Sequence, residues 1–575
     1  MNEMSILSNF PGQPRPVQVE VLKQVESYMS SGYKYIVIQA PTGSGKSYIN
    51  AAIARSKETS SILTSTTDLQ DQYKRDFPWM YTIRGKSNFP CMQLGDKFSQ
   101  IKVQLQKIRR EELTCDKGEC YNRDQKTWCK YHPKKEDFQV EHKGTFQEKI
   151  SFKLEESDFC TYYIQKIRAL MASHTIFNYA EYLSLLLFTQ DLQTDKILIC
   201  DEAHDIENHV VNFFGLTVWR VWADLVGGSF PDLNRGGDKD LRKWLEYLNA
   251  LVDEYTDFTE RCSNAIKSER QDYTYNFNNL EKAEKRLERL LFAISEVDKD
   301  FNNYVVAKVN REPNDNIKSV IIQPIDISKQ IAQMFQNTRL NVFTSATIDK
   351  DVFCRSTGID GNECALVQVR NSSFPVKNRT VNFLNTTSLH AKSNREDIQT
   401  VIKKIDELMT LHADQKGLIL TTSYKQLAEI ENGLSKQNAS RLIKTGDEEI
   451  TRSEILNIHA ESKDPTVLIS PSLWNGADLH DDLCRFEIIV KAPYLDLGDA
   501  RIAAKMKRDQ QWYLVQSAMR LLQGAGRGVR HDEDFCKIYV LDRNATILVD
   551  RTKSSLPLWF LEACSMETDS GIQKT

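Results

Sequence analysis

The sequence predicts an α/β chain of two parallel-sheet domains, the first interrupted by two insertions, and three observations predict it. Three short apolar runs, at 35–38, 196–200 and 340–343, each end in a polar cluster, as strands of a parallel sheet do when their carboxyl edge carries chemistry. About 155 residues separate the first run from the second and about 135 the second from the third, far more than one or two crossovers need. Further buried-strand runs at 417–421, 466–470, 486–491 and 536–541 then suffice for a second domain of the same kind.

Taken in order, the run Tyr35-Ile36-Val37-Ile38 leads into a glycine-bearing turn and a helical stretch from Tyr48 to Ser56. The excess that follows holds a crowd of cysteines and reads as an insertion over 88–165. After the second run, Leu241, Trp244, Leu245 and Leu248, then Leu280, Ala283, Leu287, Leu290 and Leu291, repeat with helical periodicity among charged residues. This predicts a mostly helical insertion over 206–335, with Trp219, Trp222 and Trp244 in its core. The expected division is therefore 1–87, 166–205 and 336–350 for the first domain and 351–575 for the second.

Composition narrows the function. The chain has 575 residues, 41% of them hydrophobic and 27% charged, which suits several cores and excludes general disorder. A net charge of only −4 excludes gripping polyanions by bulk positive charge, so any nucleic-acid site must be local. No apolar run is long enough to cross a membrane and the first residues lack an export leader, so a cytoplasmic, reducing location is expected. The 12 cysteines then need a reason other than disulfides. Cys91, Cys115, Cys120, Cys129 and Cys160 crowd into the first insertion and suggest a metal site. Cys200, Cys262, Cys354, Cys364, Cys484, Cys536 and Cys564 read as packed thiols, the last six without close partners.

The segment Ala40-Pro41-Thr42-Gly43-Ser44-Gly45-Lys46-Ser47 has P-loop spacing after a buried strand and before a helix. Its glycines let backbone N–H groups face phosphates, Lys46 reaches the outer phosphates and Ser47 can hold Mg²⁺. A second carboxylate for the metal is expected at the tip of a neighbouring strand, where Asp201-Glu202-Ala203-His204 stands. Asp201 fits the metal role, Glu202 orients the attacking water, and His204 couples the nucleotide to motion elsewhere. Positive charge opposite the γ-phosphate is supplied by Arg527 and Arg530 in Gln523-Gly524-Ala525-Gly526-Arg527-Gly528-Val529-Arg530, read as one helix face of the second domain. ATP would then lie in a cleft that closes and opens between two domains.

These motifs, with Thr344-Ser345-Ala346-Thr347, resemble motifs I, II, III and VI of superfamily 2 helicases. Arg15 and Gln18 resemble the adenine-reading Q-motif, Thr64 to Gln70 motif Ia, and Gly476 with Asp478 motif V. More narrowly, Gly85 to Cys91 (GKSNFPC), Cys160 to Tyr163 (CTYY), Phe177 to Leu183 (FNYAEYL) and Asn371 to Arg379 (NSSFPVKNR) resemble the iron–sulfur helicases of the XPD and DinG group. The match runs from about residue 13 to 543, and departs at Asn475, where that group has glutamate. With motifs starting within twenty residues of Met1 and ending near Arg543, no added exonuclease domain is expected.

The resemblance implies two RecA-like motor domains with a cluster insertion and a helical arch, and 5′ to 3′ unwinding of DNA. It implies ATP, Mg²⁺ and a [4Fe–4S] cluster held by Cys91, Cys129, Cys160 and either Cys115 or Cys120. Spacing alone leaves a zinc site of Cys115, Cys120, Cys129 and His132 equally open. The partners implied are single-stranded DNA and duplex junctions, with no membrane, for a monomer. An ATPase that remodels RNA or protein–DNA complexes without unwinding is the alternative. Backbone contacts are expected from Thr64, Ser65 and Ser345, and stacking or charge contacts from Lys102, Lys107, Arg109, Arg110, Lys130, Lys134 and Lys135 among Tyr121, Trp128, Tyr131 and His132.

Overall fold

In the computed structural model the described residues are 5–100, 113–118, 120–122, 127–143, 147–152, 156–189, 192, 196–267, 273–390, 393–446, 450–474, 479–526, 528–568 and 571–574. Arg527, Gly476, Asp478 and Asn475 lie outside them, as do Lys102, Lys107, Arg109 and Arg110 and the side chain of Tyr121.

Seven parallel strands form the first sheet, in the order Cys364–Gln368, Tyr35–Gln39, Thr338–Ser345, Lys196–Asp201, Ser60–Thr64, His174–Asn178 and Tyr81–Thr82. The inner strands are apolar on both faces and bury nearly every residue, as a sheet covered by helices on both sides requires. Ile36, Ile38, Ile49 and Ala52 pack one face, while Val37, Leu198, Phe343 and Phe177 pack the other. The strand Cys364–Gln368 pairs in parallel with Tyr35–Gln39, so the chain leaves the first sheet after Gln368 and not near residue 350. That strand carries no chemical motif at its end, so nothing in its residues marks which sheet it joins.

The second sheet has eight strands, in the order Leu442–Lys444, Val467–Ser470, Gly417–Leu420, Phe486–Ile489, Lys537–Asp542, Val381–Thr387, Cys564–Thr568 and Gly571–Lys574. All pairs are parallel except the last, a terminal hairpin. The expectation of two parallel-sheet domains therefore holds.

Between Asp201 and the strand Thr338–Ser345 lie two antiparallel helices of 27 residues each, Leu241–Lys267 and Tyr273–Lys299. At about 1.5 Å per residue each spans roughly 40 Å. Their facing sides bury Trp244, Leu248, Leu251, Tyr255, Ala283 and Leu290. At their base sits a three-stranded antiparallel sheet, Leu216–Trp219, Ile317–Pro324 and Tyr304–Arg311, that the helical reading did not anticipate. The helices Ile206–Phe214 and Ser328–Phe335, expected in this insertion, bury Ile206, Val210, Ile331 and Phe335 in the core of the first domain instead. Of the three tryptophans, Trp244 is fully buried and Trp222 partly so, but Trp219 is 41% exposed and is not core. From the long hairpin Lys285 reaches the cysteine insertion, its ammonium 2.5 Å from Asp116. No described helix is long and apolar enough to cross a membrane.

Two thiol pairs correct the reading of scattered cysteines. Cys484 and Cys536 meet with sulfurs 3.9 Å apart, and Cys354 hydrogen-bonds Cys364. Cys484 and Cys536 are 52 residues apart in sequence and Cys354 and Cys364 ten, and neighbouring elements bring each pair together.

Candidate active site

The P-loop turns from the end of the strand Tyr35–Gln39 into the helix Lys46–Arg55. Gly43 and Gly45 have φ of +81° and +78°, which only glycine adopts freely. Space forbids a side chain as well, because a Cβ at Gly43 would strike the Phe374 ring and one at Gly45 the Gln18 amide. Gln18 is buried, accepts the Arg15 N–H at 2.8 Å and donates to the Ser44 carbonyl at 3.1 Å. Arg15 Nη1 donates to the Gly43 carbonyl at 2.9 Å. These two side chains thereby hold the loop's carbonyls away from the side where its N–H groups turn.

Parallel register brings the other motifs to the same edge: Gln39 faces Ser345 and Thr344 faces Asp201 on adjacent strands. Asp201 is buried, and its two oxygens accept the Tyr73 hydroxyl at 2.8 Å and the Thr344 hydroxyl at 3.1 Å. Asn50 donates to both of these hydroxyls at 2.9 Å. Burial, and then the charge of Glu202, raise the Asp201 carboxyl above the ordinary carboxylate range, against Lys46, Tyr73 and Thr344. Glu202 holds φ of +49°, a backbone cost that a non-glycine residue bears only where its surroundings enforce it. Its carboxylate lies 3.9 Å from Lys46 Nζ and 3.2 Å from His204 Nδ1. His204 Nδ1 is also 2.8 Å from Ser345 Oγ, which ties motif II to motif III.

Sequence reasoning missed Tyr73 and Asn50. Asn50 left a trace, a lone amide in the otherwise apolar stretch from Ile49 to Ala54, whereas nothing distinguishes Tyr73 locally. Two expected backbone-gripping hydroxyls also point inward. Thr64 is buried and bonds the Thr66 and Phe177 carbonyls, and Ser345 is buried against His204. Each fills a hydrogen-bonding need at a strand end, which leaves Ser65 as the half-exposed hydroxyl of the three.

From the second domain, the helix Gln510–Gly524 ends beside this edge, with Gln523 Nε2 3.0 Å from Thr347 Oγ1. The helix stops at Gly524, so Arg530 follows in a loop and not one turn along a helix from residue 527. Gly524, Gly526 and Gly528 in alternation explain the break. Buried Asp534 pins this loop, accepting the Arg530 N–H at 3.0 Å and the Arg485 guanidinium at 2.7 Å. Asp481 and His531 stand beside it at 2.7 Å from each other, a trio with the chemistry of cation ligands whose buried member is already taken by Arg485.

Four of the insertion cysteines, Cys91, Cys115, Cys120 and Cys160, pack into one cluster, with Cys129 joined to it through its backbone. Cys115 Sγ is 3.6 Å from Cys160 Sγ, with Cys91 packed beside them in a nest of Tyr162, Tyr163, Phe89 and Tyr131. The Cys120 thiol donates to the Gly118 carbonyl at 3.6 Å and the Cys115 carbonyl at 3.9 Å, and the Cys129 N–H donates to the Cys120 carbonyl at 2.8 Å. Cys160 caps the helix Thr161–Met171. The hydrogen bond from Cys115, with backbone N–H groups of Tyr163 and Tyr162, draws the Cys160 thiol down to about 6. Cys115 likewise draws Cys91 to about 7, helped by the Leu94 and Gln93 N–H groups. Nearby, Trp128 is 53% exposed with His132 packed 4.2 Å from its ring centre. Lys130 pairs with Asp96 at 2.5 Å.

Two family models match, the helicase C-terminal domain over residues 405–563 and the type III restriction enzyme res subunit over 12–220. The chain is 22% identical to the ATP-dependent DNA helicase YoaA of Haemophilus influenzae over 94% of its own length and 91% of that protein. It is 24% identical to the ATP-dependent DNA helicase DinG of Photobacterium profundum over 45% of its length and 40% of that protein. Among solved structures an XPD helicase superposes with a TM-score of 0.62 at 14% identity, over 94% of this chain and 98% of that one. Another, Xpd4 of S. tokodaii, superposes with a TM-score of 0.54 at 12% identity, over 96% of this chain and all of the other. Together with two RecA-like sheets, a P-loop and a DEAH turn at the carboxyl edge of the first, and their satellite motifs, these likenesses support an XPD/DinG-type helicase of superfamily 2, an ATP-dependent family.

Proposed function

We propose that this protein moves 5′ to 3′ along single-stranded DNA and unwinds duplex DNA at the expense of ATP. The observation that carries the reading is the shared edge where Lys46, Glu202 and buried Asp201 meet while Gln523 of the other domain reaches Thr347. Lys46 holds the outer phosphates, with Thr42, Gly43, Ser44 and Gly45 as their backbone cradle and Arg15 and Gln18 at the adenine. Ser47 and Asp201 bind Mg²⁺, Glu202 orients water, and Arg527 and Arg530 approach from the second domain when the cleft closes. The resemblance gives Gly476 and Asp478 a part in nucleotide binding, and His204 passes its state to motif III.

The cysteine nest fits a [4Fe–4S] cluster. Cys115 and Cys160 meet at 3.6 Å with Cys91 and Cys120 packed beside them, and Cys91 and Cys160 are inclined to ionise, in an insertion whose described side chains make only a small apolar core. Cys91, Cys129, Cys160 and one of Cys115 and Cys120 would hold it. When bound, such a group supplies iron–thiolate bonds that cross-link remote segments. The chain's own contribution is to present exposed Trp128 and the lysines 130, 134 and 135 at the strand junction. We assign 88–165 to this cluster domain, the hairpin with its basal sheet to the arch, and a monomeric, cytoplasmic state to the whole.

The test is strand displacement on duplexes with a single 5′ or 3′ tail, in DNA and in RNA. Unwinding is expected for 5′-tailed DNA with ATP and Mg²⁺. ATP turnover stimulated by RNA, with no DNA strand displaced, would replace this reading with a remodelling ATPase.

Tyr73→Phe probes the metal assignment. It removes the hydroxyl that holds one Asp201 oxygen and helps keep the carboxyl ionised. The Mg²⁺ concentration for half-maximal ATP turnover is expected to rise about tenfold. Because the lost hydrogen bond lowers the Asp201 pKa, the acid limb of the rate profile should move to higher pH. A Mg²⁺ titration at two pH values checks both.

A further inference from the structure

A buried charge cluster joins the two motor domains away from the nucleotide. Glu207 is the second residue of the helix Ile206–Phe214, which begins straight after the DEAH turn. One of its oxygens accepts hydrogen bonds from both Arg501 and Lys505, and the other accepts Trp512 Nε1 at 3.1 Å. Glu207, Arg501, Lys505 and Trp512 are all at most 9% exposed. Arg501 and Lys505 stand one turn apart on the helix Ala500–Arg508 of the second domain, and the Lys505 ammonium lies 4.5 Å over the Trp512 ring. Arg501 Nε also donates at 2.9 Å to the Pro324 carbonyl at the base of the arch insertion.

Burial alone would raise the Glu207 carboxyl, but Lys505 and Arg501 outweigh it and keep it below the ordinary range. Lys505 is lowered by burial, with Glu207 and Asp326 opposing. A carboxylate between two cations, all out of water, tolerates little displacement, since separation would strand charges in a low dielectric.

Position gives the cluster its consequence. The helix Gln510–Gly524 is held to the first domain at its start, through Trp512 and through its capping Asp509, which accepts Arg355 Nε at 2.9 Å. About 20 Å further on, its other end touches the first domain through the neutral Gln523–Thr347 hydrogen bond, and beyond that end come the motif VI arginines. One end is locked by buried charge and the other rests on a contact that is easily exchanged. We propose that Glu207 is a positioning residue: with Arg501, Lys505 and Trp512 it forms the fulcrum about which the second domain rocks, so that changes at the adjoining DEAH turn swing motif VI toward or away from the phosphates. This rests on the ATP-driven reading above and names the part that couples its two domains.

The experiment compares wild type, E207Q and W512F, which keeps an aromatic ring under Lys505 but removes the donor to Glu207. Expected are basal ATP turnover and ATP KM within about twofold of wild type, with single-strand-stimulated turnover and strands separated per ATP each reduced at least about tenfold in E207Q. W512F should show the same split to a smaller degree. Small-angle X-ray scattering reads the docking independently of activity, and E207Q should have a larger radius of gyration than wild type. Basal and stimulated rates falling in equal proportion, stimulation intact in both variants, or an unchanged radius of gyration would each overturn the fulcrum. If E207Q does not fold, the W512F split decides alone. A wild-type enzyme whose turnover no nucleic acid stimulates overturns the functional reading instead, a result that the scattering comparison keeps distinct.

Discussion

Lys46→Ala should lower single-strand-stimulated ATP turnover by about 10²- to 10³-fold, some 3 to 4 kcal/mol of transition-state stabilisation, with the fold intact. The Lys46 side chain is only 12% exposed and its ammonium makes two long contacts, 3.9 Å to Glu202 and 3.4 Å to the Ala40 carbonyl. Neither is a strong native interaction, and alanine is the best helix former at the start of Lys46–Arg55, so circular dichroism and thermal unfolding should barely change. The loss falls on the reaction, in which the lysine offsets charge on the phosphates. A second effect runs the same way. Lys46 is one of the groups that hold the Asp201 carboxyl down against burial and Glu202, so its removal favours a protonated, metal-poor site. Glu202→Gln should separate the two roles by retaining nucleotide binding while losing turnover. Normal turnover in Lys46→Ala would place the phosphates elsewhere.

What could be read from the residues was what is local. The P-loop and the DEAH turn are contiguous, each following an apolar strand, and their meeting at one sheet edge follows from parallel strands whose carboxyl ends align. The support of that edge was not readable. Tyr73 lies 128 positions from Asp201 and Asn50 lies 294 from Thr344, so no spacing rule connects them. Distance also hid the basal sheet of the arch, because Leu216–Trp219 pairs with Ile317–Pro324 across the whole helical hairpin. The helical reading of motif VI failed for a different reason. Spacing three residues apart suits a helix face, but it was applied across glycines that end the helix at Gly524. Glu207 went unnoticed because a glutamate early in a helix is ordinarily a solvated partner of the helix dipole, and only packing of the second domain makes it a buried charge.

Cys91→Ser tests the other large effect, and its outcome follows from how little else holds the insertion together. Among described residues its interior is Cys115, Cys160, Tyr162 and Tyr163, with Phe89, Cys91, Cys120 and Tyr131 partly buried around them, too few side chains to stabilise a fold of this length alone. Segments about 70 residues apart meet there through these thiols and a few side-chain contacts such as Phe89 on Tyr162. Protein prepared without oxygen should be brown and contain about four iron atoms and matching sulfide per chain. Cys91→Ser should lose colour and iron, become sensitive to protease within 88–165, and unwind duplex at least about tenfold more slowly while keeping most single-strand-stimulated ATP turnover, because the nucleotide edge belongs to a separate core. Cys115→Ser and Cys120→Ser then part company. The Cys115 sulfur lies 3.6 Å from that of Cys160, while the Cys120 thiol donates to the Gly118 and Cys115 carbonyls; with Cys91, Cys129 and Cys160 as three ligands, one of the two completes a four-thiolate set. Exactly one of these variants should be colourless. Stoichiometric zinc without iron in the wild type would overturn the cluster assignment, and iron kept in both single variants would mean that the fourth ligand is neither.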